Sequence, residues 1–207
     1  MKPKGRAVIW SPEIAYAVGL ITTDGNLSPD GRHISFTSKD EEQINNFKAC
    51  LGLTNKIGKK ARGGDKEKKY YVLQLGNVIF YRWLLEIGLM PNKSKIIKSL
   101  KIPNEYFFIF LRGYLDGDGN ILKYQDKVFQ NSQRLYLRFY CASLEYLEWM
   151  QENIIKLANV RGKIKKGNRV YILIYAKKES LILLPLIYSN KNIPYLTRKY
   201  NLIESFL

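Results

Sequence analysis

The sequence predicts an α+β protein built from two tandem αββαββα halves, residues 1–102 and 103–207. The halves should be related by a pseudo-two-fold axis, with antiparallel strands forming one basic saddle. Three observations predict it. "AVGLITTDGN" (Ala17–Asn26) returns as "LRGYLDGDGN" (Leu111–Asn120). The same alternation of helical and strand periodicities follows each copy. The third is charge: 34 Lys+Arg against 18 Asp+Glu give +16.

The elements follow in order. Ser11 and Pro12 start a helix over Glu13–Thr22 as N-cap and first helical position. "LSPDGRHISFTS" reads as a hairpin with a Pro-Asp-Gly turn and alternating Ile34 and Phe36. "DEEQINNFKACLG" is a helix with an acidic first turn and a glycine stop, and "KIGKKARGGDKEKKYYVLQL" is a second hairpin. "NVIFYRWLLEIGL" is a third helix, and a short helix follows Pro91. Proline interrupts the chain at Ile102-Pro103-Asn104, the predicted boundary between halves.

The second half repeats this order. Gly19, Asp24, Gly25 and Asn26 fall on Gly113, Asp118, Gly119 and Asn120 at one constant offset. Ile34, Phe36, Ile44, Phe47, Leu51 and Pro91 fall on Leu137, Phe139, Leu147, Met150, Ile154 and Pro194 at a second, larger one. Extra residues near "KYQDKVFQNSQR" account for the difference, and a held register favours a true duplication. The last hairpin, "RGKIKKGNRVYILIYA", is expected to turn at Gly167-Asn168.

Composition narrows the function classes. With 207 residues, 46% of them hydrophobic, there is ample material for a core. No apolar run approaches the roughly 18–20 residues of a membrane span, and "MKPKGRAVIWSPE" lacks a signal-peptide core. A soluble, intracellular protein is expected. Cys50 and Cys141 have no CxxC spacing, which argues against a zinc ribbon or disulfide framework; both sit among apolar residues and read as inert core thiols. The single histidine, His33, excludes a His-cluster metal site and reads as a surface residue. The positive charge calls for a polyanionic partner.

The repeated motif has physical consequences. Glycine inside a helix costs about 0.5–1 kcal/mol relative to alanine. Gly19 and Gly113 would be compensated if the two motif helices packed closely across the pseudo-two-fold axis. Both helix C-termini would then meet, bringing Asp24 and Asp118 together where helix dipoles already make the field negative. Like charges there repel unless a divalent cation intervenes. Two carboxylates with the carbonyls of Thr23 and Gly117 form an all-oxygen set that suits Mg²⁺, with waters and substrate phosphates as further ligands. Asp-Gly is also an ordinary turn dipeptide; the duplication beside so basic a surface is what favours the cation.

These residues resemble the signature motifs of the LAGLIDADG homing endonucleases, in the single-chain, two-motif class. The resemblance covers nearly the whole chain. It implies a double-strand DNA endonuclease that hydrolyses one phosphodiester per strand, leaves short 3′ overhangs and serves intron or intein mobility. It places Asp24 and Asp118 on the catalytic metals, with backbone help from Thr23 and Gly117. Mg²⁺ is the implied cofactor, Mn²⁺ substitutes, and Ca²⁺ supports binding without cleavage. Thr22 departs from the family's aspartate, which Asp116 retains.

The family's auxiliary residues are poorly marked. Ser38 and Lys39 in "FTSKD" resemble one such position, but Cys141 and Ala142 are their counterparts, so the two sites look unequal. Lys93 and Lys95 precede the last helix of the first half, and Arg198 and Lys199 that of the second; Lys39 and Lys93 are the chosen catalytic candidates.

The strands supply the candidate DNA face. Arg134, Tyr136, Arg138 and Tyr140 alternate with apolar residues, and Lys163, Lys165, Arg169 and Tyr171 extend the face. Arg32, Ser35 and Thr37 are the first-half equivalents. The expected partner is a long double-stranded DNA target, weakly palindromic or asymmetric, bound by a monomer. Two alternatives remain: a cleavage-deficient relative acting as intron RNA maturase or DNA-binding regulator, and an unrelated basic RNA-binding α/β protein.

Overall fold

The computed structural model describes residues 7–61, 67–129 and 133–207. Part of the N-terminal stretch, the turn of the "KARGGDK" hairpin and part of the long "KYQDKVFQNSQR" hairpin lie outside them. Among the described residues, no helix is long and apolar enough to cross a membrane.

Each half is a four-stranded antiparallel sheet backed by helices. In the first, α1 (Pro12–Asp24) leads to β1 (Gly25–Leu27), β2 (His33–Ser38), α2 (Glu41–Cys50), β3 (Gly58–Lys60), β4 (Tyr70–Gly76) and α3 (Val78–Glu86). In the second, α4 (Phe107–Asp116) leads to β5 (Asn120–Gln125), β6 (Gln133–Cys141), α5 (Leu144–Ala158), β7 (Lys163–Lys166), β8 (Tyr171–Tyr175), α6 (Lys177–Ile187) and the short α7 (Thr197–Tyr200). The strand orders are β1-β2-β4-β3 and β5-β6-β8-β7, the same path twice.

Local chemistry explains the boundaries. Ser11 caps α1 by accepting from Ile14 N at 3.3 Å. Asn77 caps α3 through Phe80 N, and Ser143 caps α5 through Tyr146 N. Three details differ from expectation. α1 continues past Thr22 to Asp24, and the Thr22 and Thr23 hydroxyls satisfy themselves by donating back to the Val18 and Leu20 carbonyls. The β7–β8 hairpin turns one residue later than expected, at Asn168-Arg169, closed by Gly167 N to Val170 O at 2.7 Å with Arg169 at φ 60, rather than at Gly167-Asn168. The short helix after Pro91 is a 3-10 turn over Lys93–Lys95.

The halves meet along α1 and α4, whose residues from Ala15 to Ile21 and from Phe110 to Asp116 are buried. A Cβ on Gly19 would lie 2.3 Å from Phe110 O, and one on Gly113 would lie 2.1 Å from Tyr16 O. Only hydrogen at both positions allows this backbone-to-backbone contact. The helix ends touch as well: a Cβ on Gly117 would fall 1.9 Å from Thr23 Oγ1. The sheets spread from this seam. Leu135, Leu137 and Phe139 turn inward at 0% exposure, while Arg134, Tyr136, Arg138 and Tyr140 take the alternate, partly exposed positions.

Candidate active site and nucleic-acid face

Asp24 is the last residue of α1, and Asp118 lies two residues beyond α4. Where the two helix ends meet, two cavities adjoin. One, of about 340 Å³, is lined by Thr23, Asp24, Asn26, Ser35, Thr37, Lys60 and Lys93. The other, of about 260 Å³, is lined by Thr22, Thr23, Lys93, Asp118, Tyr140, Cys141 and Ala142. Thr23 and Lys93 belong to both. One carboxylate therefore faces each cavity, with a shared lysine between them.

Each helix end is bound by a buried lysine. Lys93, 6% exposed, donates to the Gly25 carbonyl. Lys199, 5% exposed, donates to Gly119 O at 2.7 Å and to the carbonyls of Leu115, Asp116 and Gly117 at 2.5, 2.9 and 3.2 Å. Gly25 and Gly119 are equivalent motif residues, so the two lysines play matching geometric parts. These carbonyls carry the negative end of each helix dipole, which is where a cation is favoured. Burial pushes both ammonium groups down to about 8, opposed at Lys93 by the attraction of Asp24 and Asp118, and at Lys199 first by Asp116 and then by Asp24 and Asp118. Those attractions place both lysines in the field of both carboxylates.

The remaining motif carboxylate does a different job. Asp116 is 0% exposed, and its Oδ2 accepts from Tyr16 Oη at 2.8 Å and from Leu196 N at 3.0 Å. Burial raises its pKa to about 6, against the lowering effect of Lys199, Tyr16, Leu196 and Arg112. It joins α1, α4 and the C-terminal segment, and it lines neither cavity. Thr22, its counterpart, satisfies itself on its own helix.

The other candidates are scattered. Lys39 is exposed and lies over the Tyr70 ring at 5.3 Å, outside both cavities. Lys95 is exposed too, whereas Lys93 turns inward. Cys50 and Cys141 are half-buried and pack against the core, as their apolar neighbours imply, and Cys141 also lies on the wall of the second cavity. Burial raises both thiols, that of Cys50 to about 12, which disfavours the reactive thiolate.

On the outer face of the second sheet, Tyr136, Arg138, Lys163 and Lys165 gather around a groove of about 340 Å³ with Tyr124. Tyr124 and Tyr136 stack at 6.3 Å, and the Arg138 guanidinium lies 5.6 Å from the Tyr136 ring centre. Arg134 is drawn aside by Asp126 in a 2.5 Å ion pair. Arg169 and Tyr171 sit at the β7–β8 loop. In the first half, Arg32 is exposed at the β1–β2 turn, while Ser35 and Thr37 face the Asp24 cavity. Lys60, which sequence reasoning did not single out, joins them; its three-residue strand is exposed throughout and offers no alternation to read.

Among the described residues, no group of three or more His, Cys, Asp or Glu could hold a metal ion. The two carboxylates at the meeting point of the helices, with neighbouring backbone oxygens, are an all-oxygen set. Such a set fits a hard divalent cation that completes its shell with water and phosphate.

Residues 11–88 match the family model of the LAGLIDADG-like domain. Among solved structures, the homing endonuclease I-WcaI bound to its DNA recognition sequence has a TM-score of 0.66 at 14% identity, covering 93% of this chain and 87% of that one. I-DmoI in complex with DNA and Ca has a TM-score of 0.60 at 19% identity, covering 93% and 97%. The N-terminal LAGLIDADG domain of DUF199/WhiA has a TM-score of 0.57 at 17% identity, covering 96% and 89%. In sequence, 109 residues, 53% of the chain, are 25% identical to a stretch of an A-type ATP synthase component from Methanopyrus kandleri, and this match spans only 10% of that protein.

Proposed function

Since residues 11–88 are a LAGLIDADG-like domain and the chain folds as two such repeated halves, we propose that this protein is a metal-dependent, site-specific double-strand DNA endonuclease. It binds a long duplex target as a monomer and hydrolyses one phosphodiester on each strand, leaving short 3′ overhangs. Its biological role is the mobility of an intron or intein. The observation that carries this reading is the pairing of Asp24 and Asp118 at the touching ends of α1 and α4, each facing a cavity and both within the field of two buried lysines.

Asp24 and Asp118 would hold the cation, Mg²⁺ in the cell with Mn²⁺ as substitute. When bound, it supplies Lewis acidity and offsets charge on the phosphate. The chain's own residues do the rest. The basic strands bring the backbone to the seam, with Arg138, Lys163 and Lys165 on one side and Arg32 and Lys60 on the other. Lys93 and Lys199 stand beside the carboxylates with pKa values near 8, so each can give or take a proton close to neutral pH. Lys199 thereby joins Lys93 and Lys39 as a catalytic candidate; Lys39 is exposed over Tyr70, and Lys199 reaches the helix end from outside both cavities.

The WhiA domain shares the fold, and a fold does not fix an activity. A binding protein or RNA maturase would keep the basic face with no need of paired carboxylates and buried lysines at the seam, which favours cleavage. The test is supercoiled plasmid carrying a target selected from randomised duplex, followed over time with Asp24→Asn and Asp118→Asn. Each variant should lose double-strand cleavage and keep binding, because Asn preserves the shape. Linearisation at the wild-type rate by either variant would sink the mechanism.

A further inference from the structure

Lys93 and Lys199 both ride on segments that cross to the opposite half. The segment after α3 carries Lys93, and its Ile97 carbonyl accepts from Ser143 Oγ of the second half at 2.6 Å. Lys98 extends the crossing to Glu145 at 3.4 Å, between exposed side chains. The segment after α6 carries Lys199 and lies against the start of α2 in the first half. Arg198 reaches Asp40 Oδ2 through Nη2 at 2.8 Å and Nε at 3.1 Å. Thr197 N donates to both Glu42 oxygens at 3.1 and 3.2 Å, and its hydroxyl also donates to Glu42. Asn46 Nδ2 donates to Tyr195 O at 2.9 Å.

Acidic residues at a helix start are often there for the helix dipole. Asp40 departs from that role: it occupies the N-cap position of α2, yet its side chain makes no capping hydrogen bond. Its carboxylate points to Arg198 instead. Glu42, in the first turn of α2, is committed to Thr197 in the same way. The residues they grip, Thr197 and Arg198, immediately precede Lys199.

We propose that Asp40 and Glu42 are positioning residues for Lys199: a carboxylate clamp from the first half that holds the lysine of the second half against the end of α4. The proposal rests on the nuclease reading for its consequence, but the clamp itself is independent of it. Each lysine donates to carbonyls of its own half, while the segment that carries it also reaches the opposite half. The Lys199 clamp is ionic, whereas the Lys93 crossing is anchored mainly by the neutral hydroxyl of Ser143. A change at α2 should therefore act on one lysine and spare the other.

The experiment is competitive labelling of the full-length chain with a small amine-reactive reagent, read lysine by lysine by peptide mass spectrometry. Wild type is compared with Asp40→Asn/Glu42→Gln, which keeps side-chain shape and N-cap chemistry. Labelling of Lys199 should rise about three- to fivefold, since one exposed ion pair is lost and the contacts to Thr197 lose their charge. Labelling of Lys93 should stay within about twofold. An unchanged Lys199 rate, or an equal rise at both lysines, overturns the clamp; the second result means general loosening. These outcomes hold whether or not the protein cuts DNA. If it does, the same variant should accumulate nicked circles, because one strand's cut slows more than the other's, and in a Lys199→Met background the clamp change should add no further loss. Failure of the wild-type protein to cut any duplex would refute the nuclease reading and leave the labelling result to decide the clamp.

Discussion

Replacing Gly113 by alanine tests the seam on which both cavities depend. The added methyl would lie 2.1 Å from Tyr16 O and 3.0 Å from its carbonyl carbon, where ordinary contact begins at 3.4 Å. The obstructing atoms are backbone, so no side-chain rotation relieves the clash, and α1 and α4 must part by roughly 1 Å in a close-packed interior. Alanine returns about 0.5–1 kcal/mol of helix propensity. Overpacking costs about 1–3 kcal/mol and falls here on two helices at once, so the net expectation is destabilisation of about 1–2 kcal/mol. Urea unfolding followed by far-UV circular dichroism reads this as a lowered midpoint at unchanged slope. Gly19→Ala should behave alike, since its methyl would meet Phe110 O at 2.3 Å. Cleavage should fall more than DNA affinity, because parting the helices alters the spacing of Asp24 and Asp118 and leaves the outer strand faces intact. A midpoint equal to or above wild type for Gly113→Ala would show that the helices are not held in backbone contact.

Three further outcomes are expected. The +16 charge and the basic strands predict duplex binding that weakens steeply with salt, as phosphate contacts release counterions; a flat affinity across a salt series contradicts the binding face. Ca²⁺ tolerates more ligands and looser geometry than Mg²⁺, so Ca²⁺ should give a bound, uncut complex and Mg²⁺ or Mn²⁺ a cut one; full cleavage in excess EDTA rules out a cation at Asp24 and Asp118. Asp116 has a folded pKa of about 6 against an ordinary value of 3.8. The native state thus holds its proton more tightly, and stability from this group is present below the lower value and lost as pH rises through the upper one. Asp116→Asn should accordingly gain on wild type in chemical denaturation as pH goes from 4 to 6; an unchanged difference across that window would show that the carboxyl is not held protonated by burial.

Much of the fold was legible because its signals are local. The glycine-bearing helices, the cap at Ser11 and the alternation around Phe36 and Phe139 each act within a few residues, and the duplication let one half check the other. Turn geometry was harder: Arg169 takes a left-handed backbone without glycine or asparagine at that position, so the Gly167-Asn168 pair put the expected turn one residue early. The site divided along the same line. Asp24 and Asp118 stood out because they end a repeated local pattern. Lys93 and Lys199 stand at only loosely equivalent places in sequence, and their matching contacts appear in space. The offset that aligns Pro91 with Pro194 sets Lys93 against Leu196, and Lys199 arrives three residues later, at the end of a segment pinned by Asp116, Glu42 and Asp40. Sequence register cannot show such a match, because what fixes each lysine is the ring of carbonyls at a helix end, and backbone carbonyls are the same at every position. The apparent inequality of the two sites, read from Lys39 and Ala142, therefore came from residues that line up in sequence, while the matched lysines meet equivalent carbonyls only after the chain has folded.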